Sequence, residues 1–191
     1  MGKVGLYGGT FDPVHLGHLI TARYVLELRN LDKIIFVPAY ISPFKQDNNS
    51  AGEKHRLEML KLAIAGHDYF EYSDYEISKG GVSYTVDTIV EMKKKYDVIE
   101  LVIGYDNLVD FDKWKEPDRI VKLAKLIVMK REPDVVKETT HKYFDAAVIV
   151  DSPAIEISST EIRKRVQTNL PIDFLVPDEV KKYIINNGLY R

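Results

Sequence analysis

The sequence contains no cysteine. This absence excludes disulfide bonds, thiolate zinc sites and a cysteine nucleophile, and it fits a reducing cytoplasm. No apolar run approaches the ~18 residues of a membrane-spanning helix, and no basic leader precedes an apolar stretch, so we expect an unprocessed, soluble, cytoplasmic protein without a membrane partner. The 27 basic and 29 acidic residues nearly cancel, which offers no general attraction for nucleic acid. Any phosphate ligand must therefore be bound by local groups.

Repeats, low-complexity tracts and interdomain linkers are also absent. A chain of 191 residues has the usual length of one domain, and we predict a single domain over residues 1–191. Five short runs rich in Val and Ile are apolar on both faces, which is typical of strands in a parallel sheet covered by helices on both sides. These runs are residues 4–7, 34–37, 101–103, 126–129 and 146–150.

Segments with a helical period separate the apolar runs. Residues 19–26, 57–64 and 86–90 each place an apolar stripe on one helix face. Strands that alternate with helices indicate an α/β fold, a single doubly wound Rossmann-like domain with a mostly parallel sheet. The aromatic segment 69–77 predicts a further strand near the sheet edge. The segment 38–52, which is rich in Pro and Asn, predicts a mobile loop over a site.

The last part of the chain changes pattern and predicts a small C-terminal helical segment, about residues 158–191. One helix is expected over 159–168 and another over 178–187. Gly188 follows the second helix, and glycine is the usual residue at a helix C-terminus.

The stretch GGTFDPVHLGH (8–18) follows the first predicted strand. Gly8 and Gly9 let the backbone turn sharply and approach a ligand closely. His15 and His18 are three residues apart, so both rings project from one face of a helix that begins at about His15. The amides and the dipole of a helix N-terminus favour an anion, and two imidazoles there donate hydrogen bonds to phosphoryl oxygens. We therefore predict a phosphate site at this loop.

Other interpretations of this loop remain open to different degrees. The two histidines, with Asp12 nearby, have the spacing of a zinc site, but no further protein ligand is signalled. A dinucleotide fingerprint is excluded because the glycines do not have G-x-G-x-x-G spacing. The three other histidines are interpreted as structural or surface residues; they are His55, His67 and His141.

A second stretch, ISSTEIR (157–163), follows the last apolar run. Ser158 and Glu161 have the spacing of a capping box. Arg163 and the two basic residues after it oppose the helix dipole, a conflict that a bound polyphosphate would remove. The alternative is an ordinary capped helix with a solvated basic face. A location on the same sheet edge as the first loop favours the phosphate interpretation.

Together the two stretches resemble the signatures of a nucleotidyltransferase superfamily, a T/H-x-G-H loop and an I-S-S-T-x-I-R helix start. Within it the chain is similar to the bacterial nicotinate mononucleotide adenylyltransferases over essentially its whole length. SYTVDT (83–88), LVIGYDNL (101–108) and Trp114 are further matches. The resemblance implies an enzyme of NAD biosynthesis that joins two small molecules, ATP and nicotinate mononucleotide, and releases nicotinic acid adenine dinucleotide and pyrophosphate. It also implies Mg2+, bound through the substrate phosphates without a metal ligand from the protein.

Site residues are carried over from the same resemblance. His15, His18 and Arg163 are implied to be catalytic, with His18 as the main transition-state donor. The implied ATP-binding residues are Gly8, Gly9, Thr10, Phe11, His15, His18, Gly104, Asp106, Ser159, Thr160 and Arg163. The implied nicotinate mononucleotide-binding residues are Thr10, Lys45, Thr85 and Trp114, with the indole stacked on the pyridine ring. Arg56 matches a basic position close to the 38–52 loop.

Two positions depart from the pattern of the resembled family. The chain has Phe44 where the family usually has a histidine in P-P-H-K, and Tyr105 where the family usually has a small residue. The first departure removes any role of that histidine, and the second affects the shape of the adenosine pocket. Neither changes a residue assigned to the phosphates.

No Ser-His-Asp, cysteine or lysine nucleophile constellation is visible, and the implied reaction needs none. The acceptor phosphate is already an anion, so we expect direct in-line attack on ATP without a covalent intermediate. One rival is another adenylyltransferase that acts on nicotinamide mononucleotide or pantetheine phosphate. A rival of a different class is a non-catalytic nucleotide sensor. Homo-oligomerisation is left open by the sequence.

Overall fold

The computed structural model describes residues 2–41, 50–130 and 141–191, except for the side chain of Lys130. The strands are β1 (Lys3–Gly9), β2 (Lys33–Pro38), β3 (Phe70–Tyr72), β4 (Val98–Gly104), β5 (Lys125–Lys130) and β6 (Ala147–Asp151). They form one six-stranded sheet in the order β3-β2-β1-β4-β5-β6. The pairs β1–β4, β4–β5 and β5–β6 are parallel. All five predicted apolar runs are strands, and the predicted α/β class with a parallel Rossmann-like sheet is confirmed.

Helices connect the strands. They are α1 (Leu16–Leu28), α2 (Glu53–Ile64), α3 (Tyr75–Lys79), α4 (Thr85–Met92), α5 (Tyr105–Val109), α6 (Pro117–Leu123), α7 (Tyr143–Ala146), α8 (Ser159–Gln167) and α9 (Asp178–Asn186). The five predicted helices correspond to α1, α2, α4, α8 and α9. A single 3-10 turn, Phe111–Lys113, follows α5. No helix in the described part of the chain is long and apolar enough to cross a membrane.

The predicted strand over 69–77 is wrong beyond Tyr72. The Ser73 hydroxyl accepts a hydrogen bond from the Tyr75 amide at 3.3 Å, and the Ser78 amide donates to the Asp74 carbonyl at 2.8 Å. These local bonds turn the chain into α3, so Tyr75, the aromatic residue of the second half, lies on a short helix. The predicted mobile loop 38–52 is described only in part, because residues 42–49 lie outside the described ranges.

The chain divides into two compact units, each made of three chain segments. Unit one comprises Met1–Gly8, Thr21–Phe36 and Tyr84–Ala154, and unit two comprises Gly9–Ile20, Val37–Ser83 and Ile155–Arg191. No single cut of the chain separates them. The predicted boundaries, one domain over 1–191 with a helical segment from about 158, stay a prediction.

The core of each unit follows from its apolar patterns. In unit one, the strands contribute side chains that are almost fully buried, such as Leu6, Leu101 and Ile127. Parallel pairing sets these strands in register, with Leu6 opposite Leu101 and Leu101 opposite Leu126. In unit two, α2 packs against α9, and Leu60 and Ile184 are both 0% exposed. Burial of a side chain of this size stabilises a fold by roughly 1.5–3 kcal/mol.

One buried charge interrupts the apolar strand β4. Glu100 is 2% exposed, and its carboxylate accepts two hydrogen bonds from Arg29, at 2.8 and 2.9 Å. Lys3 Nζ lies 3.1 Å from the same carboxylate. Burial alone would raise the pKa of Glu100, but the bonds and charges of Arg29 and Lys3 outweigh it and hold the pKa below its ordinary value. These contacts fix the end of α1 to the strands of unit one.

Substitution Glu100→Gln should lower the free energy of unfolding at neutral pH by up to ~3 kcal/mol, because it removes one partner of a buried ion pair. Because the folded-state pKa is depressed, the ionic stabilisation is fully present above the ordinary pKa of ~4.3 and is lost as the pH falls through the lower folded-state value. The difference between wild type and variant, measured by urea unfolding at several pH values, should therefore shrink on acidification.

The control is Glu27→Gln in the exposed Arg23–Glu27 pair, whose nitrogen and oxygen lie 2.6 Å apart. Its effect should stay within ~1 kcal/mol. Equal effects of the two substitutions, or a difference that does not depend on pH, would contradict a structural role for the Glu100 charge.

Candidate active site

The first loop begins where β1 ends and lies largely in unit two. A Cβ added to Gly8 would meet nothing within 4 Å, whereas a Cβ on Gly9 would lie 2.9 Å from the Phe11 ring. Phe11 is 2% exposed and has a φ of 51°. Gly9 is therefore needed for the ring of Phe11 to fold back under the loop, and the space next to Gly8 is open.

The two histidines of the loop are stacked on each other. The ring centroids of His15 and His18 are 3.6 Å apart, with an angle of 25° between the planes. The edge of Phe11 also contacts His18, at 5.1 Å between centroids and 78° between planes. His15 is 3% exposed, and His18 is half-buried. The structure thus brings together the two imidazoles that the sequence assigns to phosphate.

Each histidine also binds the backbone of the other. The His18 amide donates to Nδ1 of His15 at 3.3 Å, and the His15 amide donates to Nδ1 of His18 at 3.2 Å. Since α1 begins at Leu16, His15 is the residue before the helix and His18 is its third residue. This reciprocal pattern is that of a capping box, with imidazoles in place of the usual Ser or Thr and Glu.

The capping pattern determines the tautomer of both rings. A nitrogen that accepts an amide proton carries none itself, so a neutral imidazole with Nδ1 as acceptor holds its proton on Nε2. Both rings are therefore Nε2–H donors in their neutral form. A phosphoryl oxygen is an acceptor that suits such donors.

Gly17, between the histidines, is required by the same packing. A Cβ at this position would lie 3.0 Å from Nδ1 and 3.1 Å from Cε1 of His15, and 3.4 Å from a methyl group of Ile155. The first two distances are tighter than ordinary contacts. A larger residue at position 17 would therefore displace the His15 ring.

The second motif starts α8 as the spacing predicts. The Ser158 hydroxyl accepts a hydrogen bond from the Glu161 amide at 3.2 Å and caps the helix. The Ser159 hydroxyl donates to the Pro13 carbonyl at 2.9 Å, and Arg163 Nη1 donates to the Asp12 carbonyl at 2.9 Å. The two motifs are therefore in direct contact within unit two. Thr160, also predicted to bind phosphate, is exposed on the first turn of this helix.

The Arg56 side chain binds three backbone carbonyl groups, one of them in the first loop. This side chain is 3% exposed and donates to the carbonyls of Thr10 at 2.8 Å, Tyr40 at 3.1 Å and Ala51 at 3.2 Å. Burial lowers the pKa of Arg56, while the negative charges of Asp12 and Glu53 act in the opposite direction. An arginine stays charged despite such a shift. Arg56 therefore fixes the loop through its carbonyl groups.

Four predicted site residues besides Gly8 lie in unit one. Gly104 ends β4 and precedes α5, and Asp106 is exposed in the first turn of that helix. The ring of Tyr105, one of the two departures, is buried and contacts the edge of Phe144 at 6.2 Å. The Tyr105 ring thus packs inside unit one.

Thr85 and Trp114 also belong to unit one. Residues next to them in the sequence are in contact with each other. Thr85 is the first residue of α4, and Trp114 packs on Phe111 with centroids 5.1 Å apart. Lys115, next to Trp114, has its Nζ 4.3 Å from the ring centroid of Tyr84 and 3.6 Å from Asp87. The turn that carries Trp114 therefore lies against the start of α4.

The remaining predictions concern a loop residue, the other histidines and a metal. Lys45 lies outside the described residues, as does Phe44. His55 binds the Tyr183 hydroxyl at 3.0 Å, and His67 binds the Tyr69 hydroxyl at 3.1 Å. His141 Nε2 lies 2.9 Å from the Leu108 carbonyl. Within the described ranges no group of three His, Asp or Glu side chains is arranged to hold a metal ion.

The sequence patterns assign no role at the phosphate site to three residues, which are Asp12, Tyr190 and Gly17. The loop pattern predicts Asp12 only as a neighbour of a zinc site, yet this residue is 4% exposed and its backbone carbonyl accepts a hydrogen bond from Arg163. Tyr190, whose hydroxyl donates to Asp12 Oδ1 at 2.6 Å, carried no signal in the sequence. For Gly17, the signal was a glycine in the first turn of a helix between two histidines.

Comparisons with known proteins show the family and the fold of the chain. The cytidylyltransferase-like family model matches residues 6–165. A probable nicotinate-nucleotide adenylyltransferase of Bacillus licheniformis and the nicotinate-nucleotide adenylyltransferase of Bacillus subtilis are each 42% identical over 193 residues, covering 100% of both chains. A Plasmodium falciparum nicotinic acid mononucleotide adenylyltransferase complexed with NaAD superposes with a TM-score of 0.81 at 22% identity, covering 100% of this chain and 98% of the other. That structural likeness concerns the fold.

The substitution Gly17→Ala tests the packing of the imidazole pair. Alanine in place of glycine in a helix normally stabilises by up to ~1 kcal/mol. Here the new Cβ should press on His15, so the gain should vanish or change sign. In the background His15→Ala, where the ring is absent, the same substitution should recover the gain. Chemical unfolding of the four proteins measures this cycle. An equal gain in both backgrounds would show that the His15 ring does not require Gly17.

Proposed function

The chain belongs to the cytidylyltransferase-like family, as a full-length relative of bacterial nicotinate-nucleotide adenylyltransferases, and we propose that it joins ATP to nicotinate mononucleotide. The products are nicotinic acid adenine dinucleotide and pyrophosphate, a step of NAD biosynthesis. The single observation that carries the proposal is the 2.9 Å hydrogen bond from Arg163 to the Asp12 carbonyl, because it joins the two phosphate-type motifs. A cytoplasmic location stays a prediction.

We assign the ATP triphosphate to unit two. The Nε2–H groups of His15 and His18 supply donors from the start of α1. Thr160 and Arg163 supply a hydroxyl and a guanidinium from the first turns of α8, where the helix dipole favours negative charge. Ser159 binds the Pro13 carbonyl, so its contribution is to hold α8 on the loop. This arrangement suits a chain of phosphates better than a single anion.

The reaction requires positioning and charge stabilisation and no protein nucleophile. An oxygen of the acceptor phosphate attacks the α-phosphorus of ATP, and the bond from that phosphorus to the bridging oxygen breaks. The electron pair leaves with pyrophosphate, whose negative charge grows as the bond lengthens. Imidazole and guanidinium donors lower the barrier by binding this charge more strongly than they bind the ground state.

We propose that Mg2+ binds through the phosphates of the substrates. The described residues offer no three-ligand cluster, and Asp12 Oδ1 already accepts bonds from the Ala51 amide at 3.0 Å and from Tyr190. When bound, the ion would neutralise phosphate charge and keep much of its water. The chain itself would contribute the donors of α1 and α8.

The remaining substrate contacts are proposals that rest on the resemblance. For ATP they are the backbone of the first loop, which is Gly8, Gly9, Thr10 and Phe11, and two residues on the side of the adenosine, which are Gly104 and Asp106. For nicotinate mononucleotide they are Thr10, Lys45, Thr85 and Trp114. In support, the turn of Trp114 lies against the start of α4, whose first residue is Thr85. An open helix start with amide donors suits the pyridine carboxylate.

Replacement of His18 by alanine should lower kcat by ~100-fold or more, since the loss of one transition-state donor commonly has this size. The measurement is pyrophosphate release from ATP, Mg2+ and nicotinate mononucleotide. The substitution also removes one capping acceptor, which costs ~1 kcal/mol, so the assay temperature must lie below both unfolding midpoints. The matched control is His67→Ala, an exposed histidine of the same unit, which should keep wild-type turnover. Near-normal turnover of the His18 variant would refute its assignment.

The acceptor class is tested with the wild-type protein. We expect pyrophosphate release to be fastest with nicotinate mononucleotide among nicotinate mononucleotide, nicotinamide mononucleotide and pantetheine phosphate. Faster release with one of the others would reassign the acceptor. Tight ATP binding without release for any acceptor would indicate a nucleotide sensor.

A further inference from the structure

The turn that carries Trp114 contains a strained residue. Trp114 lies between the 3-10 turn Phe111–Lys113 and the helix α6. Glu116, which precedes α6, has a φ of 52°, a left-handed conformation that is unfavourable for residues other than glycine. Such a conformation persists only where the surrounding structure fixes the chain. We therefore expect contacts from another element to hold this turn in place.

Tyr143 supplies contacts on both sides of the turn. It is the first residue of α7 and is 6% exposed. Its ring meets the ring of Phe111 at 5.1 Å between centroids and 72° between planes. Its hydroxyl donates to Asp118 Oδ1 at 2.9 Å. Because Phe111 precedes Trp114 in the sequence and Asp118 follows it, one side chain holds the turn before and after the indole.

Phe111 connects the ring of Tyr143 to the indole. Phe111 is 0% exposed, and its ring centroid lies 5.1 Å from that of Trp114, with 38° between the planes. The Trp114 amide also donates to the Phe111 carbonyl at 3.1 Å. Contacts between aromatic rings prefer particular geometries, so the orientation of one ring restricts that of the next. The surface on which the indole packs therefore depends on the ring of Tyr143.

The start of α7 is itself fixed to two other helices of unit one. His141 Nε2 donates to the Leu108 carbonyl at 2.9 Å, in the last turn of α5. Lys142 Nζ lies 2.6 Å from Asp118 Oδ1, the same oxygen that accepts the bond from Tyr143. The position of Tyr143 is thus determined by contacts with α5 and α6.

We propose that Tyr143 is a positioning residue of the acceptor site, which holds the turn of Trp114 so that the indole is oriented before nicotinate mononucleotide binds. Its action is indirect and passes through Phe111 and Asp118. An indole that is already fixed loses less freedom when a pyridine ring stacks on it, and the affinity is higher for that reason. This inference rests on the proposed assignment of Trp114 to the pyridine ring.

The first test needs no ligand, because Trp114 is the only tryptophan of the chain and its fluorescence reports on this turn alone. Tyr143→Leu removes the ring and the hydroxyl, so it should increase the quenching of Trp114 by acrylamide and lower the anisotropy of its emission. Tyr143→Phe keeps the ring on Phe111 and loses only the bond to Asp118, so both changes should be smaller. All measurements are made below the unfolding midpoints of the variants.

The matched control is Phe144→Leu, which removes the next aromatic ring of α7. The Phe144 ring contacts Tyr105 at 6.2 Å and His141 at 4.7 Å between centroids, and neither residue belongs to the turn of Trp114. This variant should leave the quenching and the anisotropy of Trp114 at their wild-type values.

The second test is steady-state pyrophosphate release. Tyr143→Leu should raise the KM for nicotinate mononucleotide about fivefold, the order expected for the loss of one aromatic contact. The KM for ATP should change by less than about twofold, and kcat should change less than the KM for the acceptor. In the background Trp114→Ala, where the indole is absent, Tyr143→Leu should change the KM for the acceptor by less than about twofold.

Three results would overturn the inference. They are unchanged quenching of Trp114 in Tyr143→Leu, an equal increase of quenching in Phe144→Leu, and the same rise of the acceptor KM with and without the indole. A wild-type acceptor KM of Trp114→Ala, with quenching in Tyr143→Leu increased as expected, would instead refute the assignment of Trp114 in the proposed function and would support the hold of Tyr143 on the turn.

Discussion

The hydrogen bonds of Asp12 are the constraint on which the candidate site depends. They connect the first loop to Arg163, 151 residues away, and to Tyr190, 178 residues away. Without them α8 would keep its cap and the imidazole pair would keep its mutual bonds, but the two motifs would be joined only by the Ser159 hydroxyl, which donates to the Pro13 carbonyl. The site is therefore a product of contacts between distant segments. Each motif alone forms only a well-capped helix start.

Sequence patterns predicted the elements whose signal is local. The strands β1, β2, β4 and β5 are buried on both faces, so every residue of their runs is apolar. The edge strand β6 leaves Ile149 50% exposed, although its run is apolar as well. The aromatic, half-polar composition of segment 69–77 fits a strand, whereas the Ser73 hydroxyl and the Asp74 carbonyl accept bonds from following amides and start a helix. The short helices are harder to predict, because their four to seven residues do not complete two turns. For α6 a signal existed, since Pro117 occupies the first turn, a position that proline favours.

The same distinction applies to the site. The histidines, the capping serine and Arg163 could be named from two short motifs, and the structure brings these residues into one unit. The bond between Asp12 and Tyr190 could not be predicted, because a hydrogen bond between residues 12 and 190 leaves no periodicity or spacing in the chain. Glu100 is a similar case, as its acidic side chain within an apolar strand is explained only by Arg29 and Lys3. Polar contacts between residues far apart in the sequence are thus the feature of the site that local sequence patterns do not predict.

The reciprocal capping of the histidines explains why imidazole suits this helix start. Serine or glutamate at the same positions would satisfy the two amides equally well. A serine hydroxyl would have to accept the amide and donate from the same oxygen, next to the backbone, and a glutamate adds negative charge. An imidazole accepts the amide on Nδ1 and still carries a proton on Nε2, at the opposite corner of a rigid ring. One side chain thereby caps the helix and donates to an anion, and stacking at 3.6 Å holds the two rings in a fixed relation before any substrate arrives.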